Sequence, residues 1–490
     1  MNWLQHSTGG LLLLAAVGIA LLLTLIIWAK MEPFIALLVV GLLTALAQGM
    51  PVAKLVGTAQ GSANSILELG FGGILGHITV IIGLGTLLGA ILEASGGAHV
   101  LTRALLKAVG ENRAPLAMGL AGLIFGIPVF FDIGIFVLAP LVYVAAAQGK
   151  KSILLYCLPL IAGLSVTHAF LPPHPGPVAA AGLLHVDLGW VILMGAACAI
   201  PAWFVGGVLF SSWIGKRLYI PVPEEMLAAA KVGGGGDSGT GGDSGTGAGG
   251  GGTTGGDAVE PVEPERDEPP LSLVGWIIAV PLLLILAGTF GSIWLPKGST
   301  AAGIANFFGT PAVALTIAVL LAFWLLGYRR GISRVKVSEL ANASLRPVAM
   351  ILLVVGAGAF YGRVLTETGI GNAVKQTLDD AGLPVLVAAY VIACGLRIAQ
   401  GSATAAIAAS AAIIGPTVAD VGYSQAQLAL IVAAICAGSI IASHVNDGGF
   451  WIVSRYFGIS VKDTLKTWTV LETILSLVGF AMAAILMIFV

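Results

Sequence analysis

Two short polar segments interrupt long apolar stretches of the chain, and their side chains could bind a small ligand. The first, SVTHAFLPPHPGP at residues 165–177, combines four prolines with the polar side chains of Ser165, Thr167, His168 and His174. Proline removes a backbone donor and clashes with the preceding turn, so a membrane helix cannot run through this segment. The sequence predicts either a broken helix at a midplane substrate site, as in secondary transporters, or a proline-rich loop at the membrane surface.

The second polar segment, SIIASHVNDGGFW at residues 439–451, has the same character in the other half of the chain. Ser443, His444 and Asn446 could hydrogen-bond a substrate hydroxyl, and Asp447 could carry a proton or bind a cation. Histidine titrates near neutral pH and can relay protons, whereas a lone buried histidine is more often structural. Both interpretations stay open for the histidines of the two segments.

Two charged residues lie within other apolar stretches, where a charge is costly and is a functional hypothesis by default. Asp132 lies in PVFFDIGIF at residues 128–136, and we predict either a proton carrier or a structural charge paired with Arg397. The guanidinium of Arg397 offers a planar fork of donors that suits a substrate carboxylate. It could equally neutralise Asp132 or Asp447.

A GSAT segment at residues 401–404 follows Arg397 and is typical of a hairpin tip, because small residues allow close backbone approach. Its amides at a helix N-terminus would attract an anion, and its hydroxyls would bind a polyol. The predicted substrate-binding residues are Ser165, Thr167, His168, His174, Arg397, Ser402, Thr404, Ser443, His444 and Asn446. The predicted proton-coupling residues are Asp132, Asp447 and His168.

The composition indicates an integral membrane protein. Of the 490 residues 57% are hydrophobic and only 10% are charged, whereas soluble domains carry about a quarter charged residues. Apolar runs of about 20 residues predict membrane helices rather than barrel strands, and hence an all-α fold. A net charge of −1 gives no basis for nucleic-acid binding. No nucleotide-binding loop, hydrolase motif or metal-ligand spacing occurs, so we predict neither an enzyme nor a metal site.

Ten apolar segments are predicted to cross the bilayer, the first of them at residues 11–29. The others are 33–50, 70–94, 152–184, 188–213, 271–293, 308–328, 346–366, 426–454 and 468–489. Two more apolar stretches, 113–148 and 383–420, are too long for one helix and too short for two comfortable crossings. We predict that each is a re-entrant hairpin; two short spans in each would instead give fourteen crossings.

The basic residues predict the orientation. Eighteen of the 23 Lys and Arg residues fall on one side of the predicted topology against three on the other, and this side is cytoplasmic by the positive-inside rule. Both termini then face the periplasm. Residues 219–270 are rich in glycine and then in acid and proline, which predicts a flexible cytoplasmic linker. It separates an N-terminal membrane half, 1–218, from a C-terminal half, 271–490.

The two halves resemble each other. Gly83, Gly85, Gly89 and Gly96 recur as Gly356, Gly358, Gly362 and Gly369, so that one constant offset relates all four pairs. The order of elements also repeats: a spanning helix, an amphipathic connector, a hairpin, a broken helix and a final helix. Five crossings separate equivalent points, so the sequence predicts two inverted repeats that meet at a midplane site, as in alternating-access carriers.

The two interrupted segments and the GSAT segment are similar to motifs of the gluconate:proton symporter family. This resemblance runs from residue 30 to residue 490 and is broken only by the linker. It implies uptake of gluconate or a related sugar acid across the bacterial inner membrane, with the proton as coupling ion, no other cofactor, and assembly as a homodimer. The substrate carboxylate would lie near Arg397, and a proton on Asp132 or a histidine would offset its charge.

Three alternatives stay open. Some members of that family carry D-serine, so a carrier for D-serine or another small hydroxy acid is the first. A sodium-coupled symporter for organic anions, with Asn446 and Asp447 as cation ligands, is the second. The third is a membrane enzyme or a passive channel, and the absence of a catalytic constellation argues against the enzyme.

Overall fold

A computed structural model describes residues 2–110, 113–223, 268–296, 298–346, 348–380, 384–419, 421–444 and 447–490. In these ranges the regular structure is helical, apart from one isolated bridge between Thr58 and Gly61. The fold is therefore all-α, as the apolar runs of the sequence predict. Residues 224–267 of the predicted linker lie outside the described ranges, and the boundaries at 218 and 271 stay predictions.

Twelve helices form the first half. They are α1 Asn2–His6, α2 Thr8–Ile27, α3 Pro33–Ala47, α4 Val52–Val56, α5 Ile66–Ala94, α6 Gly97–Val109, α7 Ala114–Phe125, α8 Phe131–Gly149, α9 Leu154–Phe170, α10 Pro175–Leu183, α11 Leu188–Trp203 and α12 Ser211–Arg217. A π-helical segment, Phe204–Phe210, joins α11 and α12 into one continuous span.

Eleven helices form the second half. They are α13 Leu271–Trp294, α14 Thr300–Gly309, α15 Pro311–Ala322, α16 Arg334–Leu345, α17 Val348–Glu367, α18 Ile370–Asp380, α19 Val385–Gln400, α20 Ala403–Val418, α21 Gln425–Gly438, α22 Gly448–Tyr456 and α23 Val461–Met487. Helix α15 continues through a π segment, Phe323–Gly327, and a 3₁₀ turn, Tyr328–Arg330.

Each of the ten predicted spans contains a helix or a broken pair of helices, and nine helical stretches in the described residues are long and apolar enough to cross a bilayer. The two polar segments do break their helices. Helix α9 ends at Phe170 and α10 begins at Pro175, while α21 ends at Gly438 and α22 begins at Gly448. We call α9–α10 the first broken helix and α21–α22 the second.

The two remaining apolar stretches form helical hairpins, as predicted. The first hairpin is α7–α8 and the second is α19–α20. Helix α7 has 12 residues and spans about 18 Å, and the arms of the second hairpin have 16 residues and span about 24 Å each. These lengths are short of a hydrocarbon core of about 30 Å. Helix α8, with 19 residues, is long enough to cross, but its partner arm is not.

The offset that takes Gly83 to Gly356, which we call the repeat offset, also relates whole elements. It takes the start of α10 at Pro175 to the start of α22 at Gly448, and the start of α11 to that of α23. Gly96 and Gly369 both have a left-handed backbone, with φ of 77° and 74°, directly after α5 and α17. Residues with a side chain rarely adopt this conformation, so the repeated glycines end equivalent helices in the same way.

Equivalent helices of the two halves pack on one another. Helix α5 lies against α17, α11 against α23 and α9 against α21. The hairpins also cross over between the halves: α10 packs on α20 of the second hairpin, and α22 packs on α8 of the first. A two-fold relationship between the halves produces such reciprocal contacts, and it brings both breaks and both hairpin tips to one interface.

Close backbone contact holds the first hairpin against the first broken helix. A Cβ atom on Gly122 of α7 would lie 2.1 Å from the carbonyl oxygen of Leu160, and one on Gly163 of α9 would lie 2.5 Å from the backbone nitrogen of Leu123. These helices therefore approach to a distance that only glycine permits.

We expect Gly122→Ala to destabilise the protein by about 1–3 kcal/mol, because α7 must move away from α9 to admit the methyl group. The measurement is the thermal unfolding midpoint of the purified protein in detergent. Gly395→Ala in α19 is the matched control, since a Cβ atom there meets nothing within 4 Å. Equal midpoints for the two variants would contradict the close contact.

Candidate functional site

A cavity of about 780 Å³ lies between the two halves. Its polar lining combines Asp132, Ser165 and His168 of the first half with Arg397, Ser402, Thr404, Asp447 and Glu472 of the second. Phe130, Phe131 and Trp468 add aromatic walls. Small-molecule sites are concave, mostly apolar and provided with a few convergent polar groups, and this cavity has that character.

An ion pair joins the tip of the second hairpin to the second break. Arg397 lies in the last turn of α19, is 4% exposed, and donates through Nη2 to Oδ2 of Asp447. Its Nη1 donates to the carbonyl oxygen of Gly401, whose left-handed φ of 73° ends α19. The other oxygen of Asp447, Oδ1, accepts from the backbone N–H of Gly449 at 3.0 Å and caps α22.

Helix α23 fixes the second break from behind. Ser443 donates to Oδ2 of Asp447 and accepts from Nε1 of Trp468 at 2.8 Å. Thr469 donates to the carbonyl oxygen of Ser443. The indole of Trp468 also stacks on Phe131 of the first hairpin, with ring centroids 5.4 Å apart. The second break is therefore held by both hairpins and by α23.

The first break has an equivalent connection to its own hairpin. His174 is 3% exposed, and its Nε2 lies 2.6 Å from the carbonyl oxygen of Gly126 at the tip of the first hairpin. His174 precedes α10 as Asp447 precedes α22, and the repeat offset relates the two residues. Equivalent positions of the two halves thus carry a contact between a histidine and a carbonyl oxygen in the first half and an ion pair in the second.

Buried polar atoms without a partner concentrate at the cavity. Of five such side-chain atoms in the described residues, three belong to residues that line it: Nδ1 of His168, Nε of Arg397 and Oε1 of Glu472. Buried polar groups are nearly always hydrogen-bonded, so each exception needs an explanation. The unmet hydrogen-bonding capacity of the described residues is therefore concentrated at the residues of this cavity.

The structure brings five of the predicted substrate-binding residues to the cavity: Ser165, His168, Arg397, Ser402 and Thr404. Four others do not line it, and each of them bonds to protein groups; these are Thr167, His174, Ser443 and His444. The remaining one, Asn446, lies outside the described residues.

Of the predicted proton-coupling residues, Asp132, His168 and Asp447 all line the cavity. The predicted alternative in which Arg397 pairs with Asp132 is not what the structure has, since Arg397 pairs with Asp447. The reason is geometric. Asp447 begins α22 directly against the tip that carries Arg397, whereas the exposed side chain of Asp132 begins an arm of the other hairpin.

Glu472 is a member of the site that the sequence analysis missed. It lies in the middle of α23, is 2% exposed and faces Ser165, Arg397 and Asp447. The signal was present, because Glu472 is the single acidic residue within the apolar segment 468–489. An acid in a membrane helix calls for the same attention that Asp132 received.

Interrupted helices and hairpins around a central cavity with convergent polar groups define a multi-pass membrane permease. The chain belongs to the GntP permease family, whose model matches residues 10–233 and 254–490. The unmatched residues between these ranges fall in the glycine-rich part of the linker. The relatives are permeases and transporters, so the prediction that the protein is not an enzyme is confirmed.

Two curated relatives illustrate the similarity. The chain is 42% identical to the inner membrane permease YgbN of Escherichia coli K12, over 97% of this chain and 98% of that protein. It is 37% identical to a gluconate permease of Pseudomonas aeruginosa PAO1, over 97% of each chain. The predicted resemblance to gluconate carriers is thereby confirmed at the level of the family.

The fold also occurs among solved transporters. The structure of Neisseria gonorrhoeae MtrF, reported as one of a class of antimetabolite efflux pumps, superposes with a TM-score of 0.64 over 94% of this chain and 96% of that one. The sequence identity is 16%, so this similarity concerns the fold alone.

Proposed function

We propose that the protein takes up gluconate or a related sugar acid together with a proton, by alternating access. The observation that carries this proposal is the position of Arg397, a buried guanidinium at a hairpin tip that lines the cavity between the halves. The name of the gluconate permease relative supplies the substrate class.

In the proposed complex, the substrate carboxylate accepts hydrogen bonds from Arg397. Two of the three guanidinium nitrogens already bond to Asp447 and Gly401, and Nε is free to donate. The hydroxyls of Ser402 and Thr404 beside it can exchange hydrogen bonds with those of a polyol chain. A ligand with a carboxylate at one end and hydroxyls along its length matches this order of groups.

Alternating access finds support in a second cavity, of about 1210 Å³. It is lined by Gly70 near the start of α5, whereas the site cavity is lined by Glu93 at the end of that helix. The helical rise separates these residues by about 35 Å, so the cavities reach opposite faces of the membrane. With the predicted cytoplasmic linker and periplasmic termini, the site cavity opens to the cytoplasm.

The hydrogen bonds that Asp447 already makes favour a proton over sodium as the coupling ion. One of its oxygens accepts from Arg397 and Ser443, and the other caps α22, so protein donors already use most of the acceptor positions of this carboxylate. Cotransport of one proton with a monovalent anion would be electroneutral.

Transport by the purified protein in proteoliposomes tests this proposal. We expect labelled gluconate to accumulate under an inward pH gradient without sodium, and to be displaced by unlabelled sugar acids but not by D-serine. Accumulation that requires a sodium gradient would show that sodium, and not a proton, is the coupling ion. Displacement by D-serine would contradict a substrate site specific for sugar acids. Equilibration without accumulation would indicate a channel. Assembly as a homodimer stays a prediction.

A further inference from the structure

Glu472 combines deep burial with an incomplete set of contacts. Its Oε1 atom has no hydrogen-bond partner, and Ser165 of α9 lines the same cavity. The residue lines the site cavity, where Arg397 and Asp447 also face it. A carboxyl oxygen that accepts no hydrogen bond can take up a proton without losing a contact.

The internal repeat shows that the fold does not need an acid at this position. The repeat offset that takes the start of α11 to the start of α23 also makes Ala199 of α11 the equivalent of Glu472 of α23. Ala199 is 1% exposed, so a small apolar side chain satisfies the equivalent site of the first half. The carboxyl group of Glu472 is a departure from the symmetry of the fold, directed into the cavity.

The charges of the site require a neutralising proton when an anion enters. Arg397 is already compensated by Asp447, so a substrate carboxylate adds a negative charge that the site does not balance. Like charges repel strongly in a medium of low dielectric constant. A proton on Glu472 removes the repulsion between this buried carboxylate and the substrate.

We propose that Glu472 binds the coupling proton, which enters with the substrate and leaves to the cytoplasm when the site opens there. This inference rests on the proposed function, because it assigns the proton of that transport cycle to one residue. Binding of the anion favours protonation of Glu472, and release of the anion favours loss of the proton. Binding of the proton and binding of the substrate are thereby coupled within one cavity.

Three acids other than Glu93 line the cavity, and Glu472 is the one that is neither ion-paired, as Asp447 is with Arg397, nor exposed, as Asp132 is. Arg397 and Asp447 face Glu472 from the second hairpin and the second break, and α9 adds His168 on the turn after Ser165. The other titratable residues on helices packed against α23 are Tyr156 and Cys157 on α9, Cys198 on α11, Lys216 and Arg217 on α12, Cys436 on α21, and Arg455 and Tyr456 on α22. Lys216, Arg217 and Arg455 stand in the last turns of their helices.

Two transport modes of the full-length protein in proteoliposomes test the assignment with labelled gluconate. An inward gradient of one pH unit can drive about tenfold accumulation with one proton, whereas exchange at equal pH needs no net proton movement. We expect Glu472→Gln, which resembles the protonated acid, to retain exchange and lose accumulation. Glu472→Asp keeps the carboxyl group and should retain part of the accumulation. Glu32→Gln, the same change at an exposed residue before α3 and outside the cavity lining, should retain both.

The outcomes separate this inference from the proposed function. Accumulation by Glu472→Gln equal to that of the wild type would show that the proton binds elsewhere. Loss of both modes in Glu472→Gln and Glu472→Asp alike would also overturn the inference, because it indicates a role in folding or binding. Wild-type protein that fails to use the pH gradient would instead overturn the proposed proton symport.

Discussion

Arg397→Lys is expected to reduce gluconate uptake by roughly 10- to 100-fold, although the substitution keeps the positive charge. A hydrogen bond to a charged group contributes about 1.5–3 kcal/mol, and each 1.4 kcal/mol corresponds to about a factor of ten. The ammonium group of lysine is a compact point charge and lacks the planar fork that serves Gly401, Asp447 and a ligand from three separate nitrogens.

Initial rates of labelled gluconate uptake over a range of concentrations would measure this effect. Because the guanidinium is proposed to contact the substrate, the loss should include a higher KM. Arg329→Lys is the matched control: its guanidinium lies 5.6 Å from the ring centroid of Trp324, away from the cavity. An Arg397→Lys variant with the KM of the wild type would exclude a direct contact between Arg397 and the substrate.

The general architecture could be predicted because membrane helices and their interruptions have strong local signals. Apolar length fixes the spans, and the prolines at 172–177 prevent a helix from continuing. The repeat offset was visible in glycines alone, and in the structure it extends to helix starts such as Leu188 and Val461. The spans and their interruptions depend on near neighbours in the chain, and the repeat is found by comparing one local pattern with another.

The individual contacts of the site could not be predicted in the same way. The sequence left Arg397 with two candidate partners, and the choice of Asp447 depends on how a hairpin tip meets a break 50 residues away. Polarity also failed to separate side chains that face the cavity from those that bond to protein. Thr167 and Ser165 lie two residues apart on one helix, yet Thr167 donates to Gly163 and Leu164 while Ser165 lines the cavity.

The contributions of Arg397 and Asp447 to the stability of the fold should be strongly coupled. Their side chains are 5% and 12% exposed, and removing one partner of a buried pair typically costs about 3–5 kcal/mol because the other charge is left uncompensated. We expect this loss for Asp447→Asn and for Arg397→Gln. Asparagine caps a helix as well as aspartate does, so the first change removes the charge of Asp447 while keeping its contact at the start of α22.

The double variant Arg397→Gln with Asp447→Asn should regain most of the lost stability, because two neutral side chains replace the ion pair. It should still fail to transport, because no guanidinium remains for the substrate. The wild type, the two single variants and the double variant form a double-mutant cycle. It is measured by their thermal unfolding midpoints in detergent and by their uptake rates. The control is the same cycle on Lys54 and Glu367, whose side chains are 54% and 29% exposed and should couple by less than about 1 kcal/mol. If the losses at Arg397 and Asp447 simply add, the pair is not what joins the hairpin to the break. Recovery of stability without transport would instead show that the charge of Arg397 serves the substrate, since the fold would have been restored without it.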